Sequence, residues 1–450
     1  MESQQASNER MTGASARAKA MRPGAKAWLL RAAAMAACAA GLAACGGGGG
    51  GGGGGLPIGL PPVAAPAPAP APAPAASTQN SMTVTVDRGT GSSGVNLPQV
   101  SVQLCAPGTS NCQTINNVLI DTGSTGLRIT AAAINPSLLA ALPRESVNSA
   151  PLNACQQFLD GYTWGTMRVA DVTLGPKSAA AQPLQIVGDT AAGGAPVTCS
   201  DNGTLAAENT PADLGTNGII GMAAFLHDCG TACAQQVVAA TYYTCPSGGA
   251  CQGSMVPLAM QAQNLVAAFA QDNNGVVLSL PAISAAGQGT TLGTLYFGVG
   301  TQSNNAMSGA TVLRTNPQTL AVSATYKGTS FPDSFLDSGS NFFFLNDSAI
   351  AKCPSGSFSG FYCPASSLPL SASFTAAGGS SLSQNFSIAN AQSLFTSNPG
   401  AVAVNDVAGT GINGAIDFGL PFFYGRLVAV LNEGQTALGQ AGPFTALASP

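Results

Sequence analysis

Two short segments decide what this chain can fold into. One is Val118-Leu119-Ile120-Asp121-Thr122-Gly123-Ser124, with Leu127-Arg128-Ile129 close behind it. The other is Phe335-Leu336-Asp337-Ser338-Gly339-Ser340, running on into Asn341-Phe342-Phe343-Phe344. Each is an apolar strand end that meets Asp-Thr/Ser-Gly-Ser. A single copy is a weak signal in a chain with 56 Gly. Two copies, each behind an apolar run and about half the folded chain apart, point to two similar halves. Two carboxylates held close together cannot both ionise easily, so they share one proton. The ionised member, Asp121 or Asp337, can take a proton from water, and the protonated one can polarise a carbonyl. Gly123 and Gly339 let the backbone turn sharply and bring N–H groups to the carboxylates. Thr122 and Ser338 can bond across to the opposite loop. Ser124 and Ser340 can reach the outer oxygen of the Asp three positions earlier.

At these residues the sequence resembles the pepsin-like aspartic peptidases, in which each lobe contributes one such Asp. Further segments follow in that family's order. Residues 114–121 read as the second arm of a hairpin feeding Asp121. Phe158-Leu159-Asp160-Gly161-Tyr162-Thr163-Trp164-Gly165 resembles the flap that closes over substrate. Phe158 falls where the family has a Tyr, and Arg128 where it has the Trp that receives the Tyr hydrogen bond. Phe158 cannot donate that bond, so Tyr162 or Trp164 replaces it, or the network is gone. Asn217-Gly218-Ile219-Ile220-Gly221-Met222-Ala223 resembles the strand packed behind the first catalytic loop. Residues 257–271 have helical spacing, with Leu258, Leu265, Ala268 and Phe269 on one face, and precede strands at 276–280 and 293–298. The segment 417–431 resembles the family's C-terminal motif, with Gly419 as the mate of Gly221. Asp417 stands there in place of an apolar residue, and Leu420 in place of an Asp.

The resemblance implies an all-β fold of two pseudo-symmetric lobes, 81–310 carrying Asp121 and the flap, and 311–450 carrying Asp337. It implies hydrolysis of a peptide or protein substrate by an activated water, with no cofactor and no metal, in a monomer. The other reading is a silent fold of this kind that binds a peptide, glycan or partner as a surface lipoprotein.

Composition agrees with a secreted β protein: only 8% of the residues are charged. His227 is the sole histidine. That leaves little room for zinc peptidases of the His-Glu-x-x-His type or for His-dependent serine and cysteine peptidases, and His227 reads as a surface residue. Nine basic and seventeen acidic residues follow Cys45, a net charge of −8, so nucleic-acid binding is rejected.

Before Cys45 lies a basic stretch and then an apolar, Ala-rich run at 32–44, too short for a stable membrane span. Leu42-Ala43-Ala44-Cys45 resembles a lipobox, whose Cys is lipidated and becomes the mature N-terminus. The chain also resembles a bacterial lipoprotein family of unknown function. The expectation is a signal peptide over 1–44 with its start at Met1 or Met21, and lipid anchoring at Cys45. An ordinary secretory peptide cut near Ala44 is the alternative. Gly46 rather than Asp after the Cys points to the outer membrane of a bacterial envelope. Residues 45–80, Gly-rich and then Ala/Pro-rich, read as a tether. Ten cysteines remain, which suggests five disulfides. Proximity proposes Cys105–Cys112, Cys229–Cys233, Cys245–Cys251 and Cys353–Cys363, leaving Cys155–Cys199, although sequence alone does not fix the connectivity.

Overall fold

The computed structural model describes residues 78–449 apart from 92, 247, 248 and 355. The expected leader, Cys45 and most of the tether lie outside the described residues. Among the described residues the fold is all-β, with one 17-stranded and one seven-stranded sheet and a small two-stranded ribbon. The longest α-helix among the described residues, Ala391–Ser397, has seven residues.

The strands form where the sequence alternates. Ser81–Asp87 and Leu97–Cys105 pair antiparallel, and Leu97–Cys105 then pairs with Cys112–Asp121. Val102, Leu104, Ile115 and Val118 from these strands point into one core. The turn between the last two is clipped by Cys105–Cys112. Cys229–Cys233, Cys245–Cys251 and Cys353–Cys363 are bonded as proximity proposes, and Cys155 is bonded to Cys199, the pair left over.

The large sheet does not stop at the middle of the chain. Gly275–Leu280 pairs with Arg426–Leu431, which in turn pairs with Phe444–Ala448. The main apolar cluster accordingly runs from Val84 to Leu447. The seven-stranded sheet belongs to the second half, with Val322–Tyr326 and Thr329–Leu336 at its centre and Leu368–Thr375 and Ser381–Ile388 beyond. Asn96 ties the halves a second time. It is fully buried in the left-handed region (φ 55°), a conformation that Asn tolerates better than most residues. Its amide donates to the Val402 carbonyl at 2.8 Å, its side chain bonds Val404 and Asn341, and Tyr424 donates to it at 2.8 Å.

One expected element is different. Residues 257–271 form two short 3₁₀ turns, Leu258–Met260 and Leu265–Ala268, instead of one helix. Between them the chain is extended: His227 bridges Gln263, and the Asp228 amide donates to the Ala262 carbonyl at 3.0 Å. Asn264 restarts the turn by accepting from the Val266 amide at 3.0 Å. Strand-like pairing with residues 226–228 satisfies the backbone groups that a helix would have satisfied internally. His227 itself is half-buried.

Candidate active site

Asp121 ends the strand Cys112–Asp121, and Asp337 follows directly after Thr329–Leu336. Each strand end has a parallel partner behind it. Gly218–Met222 lies along 118–121 with Gly221 opposite Asp121. Asp417–Phe418 lies along Phe335 and Leu336, and the Asp337 amide donates to the Phe418 carbonyl at 3.2 Å. Gly419 therefore mirrors Gly221. A Cβ on Gly221 would come within 2.5 Å of the Ser124 carbonyl, and one on Gly419 within 2.6 Å of the Ser340 carbonyl.

The two Asp loops interlock through four buried hydrogen bonds. The Thr122 amide donates to Ser338 Oγ at 3.1 Å, and the Ser338 amide to Thr122 Oγ1 at 2.9 Å. Each hydroxyl then donates onward, Thr122 to the Leu336 carbonyl at 3.2 Å and Ser338 to the Ile120 carbonyl at 2.8 Å. The arrangement is a local two-fold. It explains why a small hydroxyl residue follows each Asp: only a side chain with both a donor and an acceptor on one atom closes the pattern.

Each carboxyl has the same two donors in its own loop. Asp121 accepts from the Gly123 amide at 2.7 Å and from the Ser124 hydroxyl at 2.5 Å. Asp337 accepts from the Gly339 amide at 2.8 Å and from the Ser340 hydroxyl at 3.0 Å. The glycines also set the spacing between the carboxyls. A Cβ on Gly123 would lie 2.8 Å from Asp337 Cγ, and one on Gly339 would lie 2.8 Å from Asp121 Oδ1. Any side chain there would push the pair apart. Burial, and then the charges of Asp121 and Asp417, raise the Asp337 carboxyl well above its usual range. Burial and the neighbouring negative charges thus favour the protonated form of Asp337.

The pair lies in a cleft of about 800 Å³. Leu119, Phe158 and Ile219 line it on one side, and Phe335, Phe342 and Phe344 on the other. Over it hangs a hairpin of Ala150–Gln157 and Gly161–Leu174, with Gln157 opposite Tyr162, whose turn at 158–160 faces the cleft. Phe158 joins an apolar patch with Leu97, Leu119, Leu214 and Ile219.

Tyr162 and Trp164 lie away from the cleft. Trp164 is buried with Cys155, Cys199 and Tyr243, and its indole donates to the Gly193 carbonyl at 3.0 Å. Tyr162 packs on the same cluster, and neither residue lines the cleft. Arg128, which is only 1% exposed, reaches the hairpin from the strand behind Asp121. Its guanidinium donates to the Thr125 carbonyl at 2.7 Å, to the flap residue Gln156 at 2.8 Å and to Asp228 at 3.3 Å. Tyr242 donates to the other Asp228 oxygen at 2.7 Å. Burial pushes the Asp228 carboxyl up to about 6, with Arg128 pulling the other way. One side chain thereby joins the strand after the first Asp, the hairpin over the cleft and Asp228, which precedes Cys229. A basic residue between Leu127 and Ile129 signals that a buried acceptor must exist. Nothing in the sequence selects Asp228, a hundred positions on, as that acceptor.

Among the described residues, no group of three His, Cys, Asp or Glu side chains is placed to hold a metal ion. A family model described as "Protein of unknown function (DUF3443)" matches residues 76–447. No curated protein matches the chain. Among solved structures it is similar to the crystal structure of an aspartic proteinase from Irpex lacteus, at 15% identity and a TM-score of 0.42. The match covers 82% of this chain and 97% of that one, and is too loose to bear on function.

Proposed function

The chain belongs to the DUF3443 family of unknown function, so its activity must be read from the site, and we propose that it is an aspartic endopeptidase. The observation that carries this reading is the interlocked carboxyl pair: two Asp side chains, each with an amide and a hydroxyl donor, each overlain by the other loop's glycine. In the proposed reaction a water bound between the carboxyls gives a proton to Asp121 as its oxygen attacks the scissile carbonyl carbon. Asp337 gives its proton to the carbonyl oxygen. Transfer of the proton from Asp121 to the amide nitrogen then breaks the C–N bond, and the collapsing diol returns a proton to Asp337. The substrate would be a peptide or protein in extended form, with apolar side chains against the Leu119 and Phe335 sides of the cleft.

A mixed peptide library incubated from about pH 3 to about pH 8 tests the reading. Cleavage by the wild type, lost in Asp121→Asn and Asp337→Asn while both variants stay folded, supports it. If nothing is cleaved, and a hydroxyl-bearing transition-state mimic binds wild type and variants alike, the cleft is a binding site and the lipoprotein-binder reading replaces the peptidase. The proposal includes anchoring through Cys45 to the bacterial outer membrane. Cys45→Ser should release the protein into the soluble fraction, and equal fractionation of the two forms would end that part of it.

A further inference from the structure

Asp417 is out of place in the symmetry of the site. It lies two residues before Gly419, as Ile219 lies two before Gly221. Ile219 pairs with Leu119 and Arg128, and Asp417 with Phe335 and Phe344, the matching positions of the second half. One half therefore presents an aliphatic side chain to the cleft and the other a carboxyl. Asp417 is only 2% exposed and lines the same cleft as the pair. Neither of its oxygens has a hydrogen-bond partner among the described residues. The hydroxyl of Ser340 lies beside it but donates to Asp337 at 3.0 Å. A buried carboxyl whose one nearby donor, the Ser340 hydroxyl, is engaged by Asp337 is costly to ionise and is not a packing solution, since Ile219 fills the mirror position without that cost.

Resting on the peptidase reading, we propose that Asp417 is a positioning residue for the dyad: a third carboxyl that keeps the shared proton on Asp337 as pH rises and so keeps Asp121 as the base. The titratable groups acting on Asp337 are Asp121 and Asp417, and the one acting on Asp417 is Asp121, with no cation among them. The adjoining strands bring Phe335 and Phe344 alongside. Asp121 has the shortest donors of the three carboxyls, at 2.7 and 2.5 Å. Burial raises Asp417 well above the ordinary range, with the Ser340 hydroxyl pulling it down and the charge of Asp121 pushing it up; Asp337 is raised by burial and by both neighbours. Asp337 is raised by the charge of Asp417 and not the reverse, so a charged Asp417 holds the last proton in place on Asp337. The consequence is activity that persists closer to neutral pH than the pair alone would allow.

The test is the pH profile of kcat/KM for wild type, Asp417→Asn and Asp417→Leu. Both variants remove the charge, one keeping the shape and the other restoring the apolar character of Ile219. The upper limb should move to lower pH by about one unit in both. An unmoved limb, or a shift in only one variant, which would betray a packing effect, overturns the proposal. Carbon-13 NMR titration of the Asp carboxyls reads the same quantity without turnover. Asp337 should titrate lower in Asp417→Asn than in wild type, and identical titrations would refute the coupling. If the wild type cleaves nothing, the peptidase reading fails while this titration still decides the role of Asp417.

Discussion

At the scale of single residues, the site depends on atoms that both donate and accept. Ser338→Ala removes the donor to Ile120 and the acceptor for Thr122 at once. Each buried group left unsatisfied costs about 1–3 kcal/mol. Urea unfolding should therefore show a clear loss for Ser338→Ala. Ser340→Ala should cost less stability, because its one bond is at the partly buried rim of the loop, yet lower kcat by weakening the hold on Asp337. Equal losses for the two would contradict the interlocked geometry. The eight residues of the two Asp loops were legible in the sequence because each loop is contiguous and its hydroxyls and glycines have short-range tasks. Arg128 and Asp417 were visible only as residues out of place. A charge in an apolar strand announces a constraint, but its partner is chosen by the fold, over 100 positions for Arg128 and Asp228.

At the scale of elements, alternation located the strands well, since a strand half-buried on a sheet has period two whatever it pairs with. Helical spacing misread residues 257–271, where Leu258, Leu265 and Ala268 lie on two turns joined by an extended link and Phe269 follows the second. The pull of residues 226–228, not local propensity, decides that segment. The flap shows the same dependence on distant parts. Arg128 holds Gln156, and Cys155–Cys199 pins the neighbouring residue across a separation of 44. In the chain-entropy picture that bridge contributes about 4 kcal/mol, against about 2.5 kcal/mol for Cys105–Cys112 at a separation of 7. Replacing each pair by Ser should lower the melting temperature more for the longer loop. Arg128→Lys, which cannot span all three acceptors, should speed hydrogen exchange in the flap strand and raise KM. An unchanged exchange rate would mean that Arg128 serves packing alone.

At the scale of the whole molecule, buried carboxyls set the pH response. Burial raises Asp228 and Asp406 to about 6 and Glu145 to about 8. A carboxyl raised in the folded state stabilises fully below its unfolded value near ~4, and that contribution is lost as pH rises through the folded value. Against the pull of burial, donors including Arg168, Lys177 and Lys327 hold Asp189, Asp272 and Asp347 below the usual range, and these lose their contribution only as pH falls below about 4. The melting temperature should therefore peak near pH ~4–5 and be lower by roughly 5 °C at pH ~8; a flat profile would refute this balance. The cleft shares the acidity. Besides the dyad, Asp160, Glu208, Asp213, Asp228 and Asp417 line it against Arg88 alone among the described residues. Peptides rich in Lys or Arg should be cleaved faster at low ionic strength, and neutral ones should be insensitive to salt. The seam at Asn96 and the sheet strands shared between the halves carry a last consequence. A protein whose halves meet only across a cleft comes apart in stages when heated, each half melting on its own. Here Gly275–Leu280 cannot release Arg426–Leu431 without exposing a core common to both halves. Scanning calorimetry should then record one endotherm, with calorimetric and van't Hoff enthalpies equal.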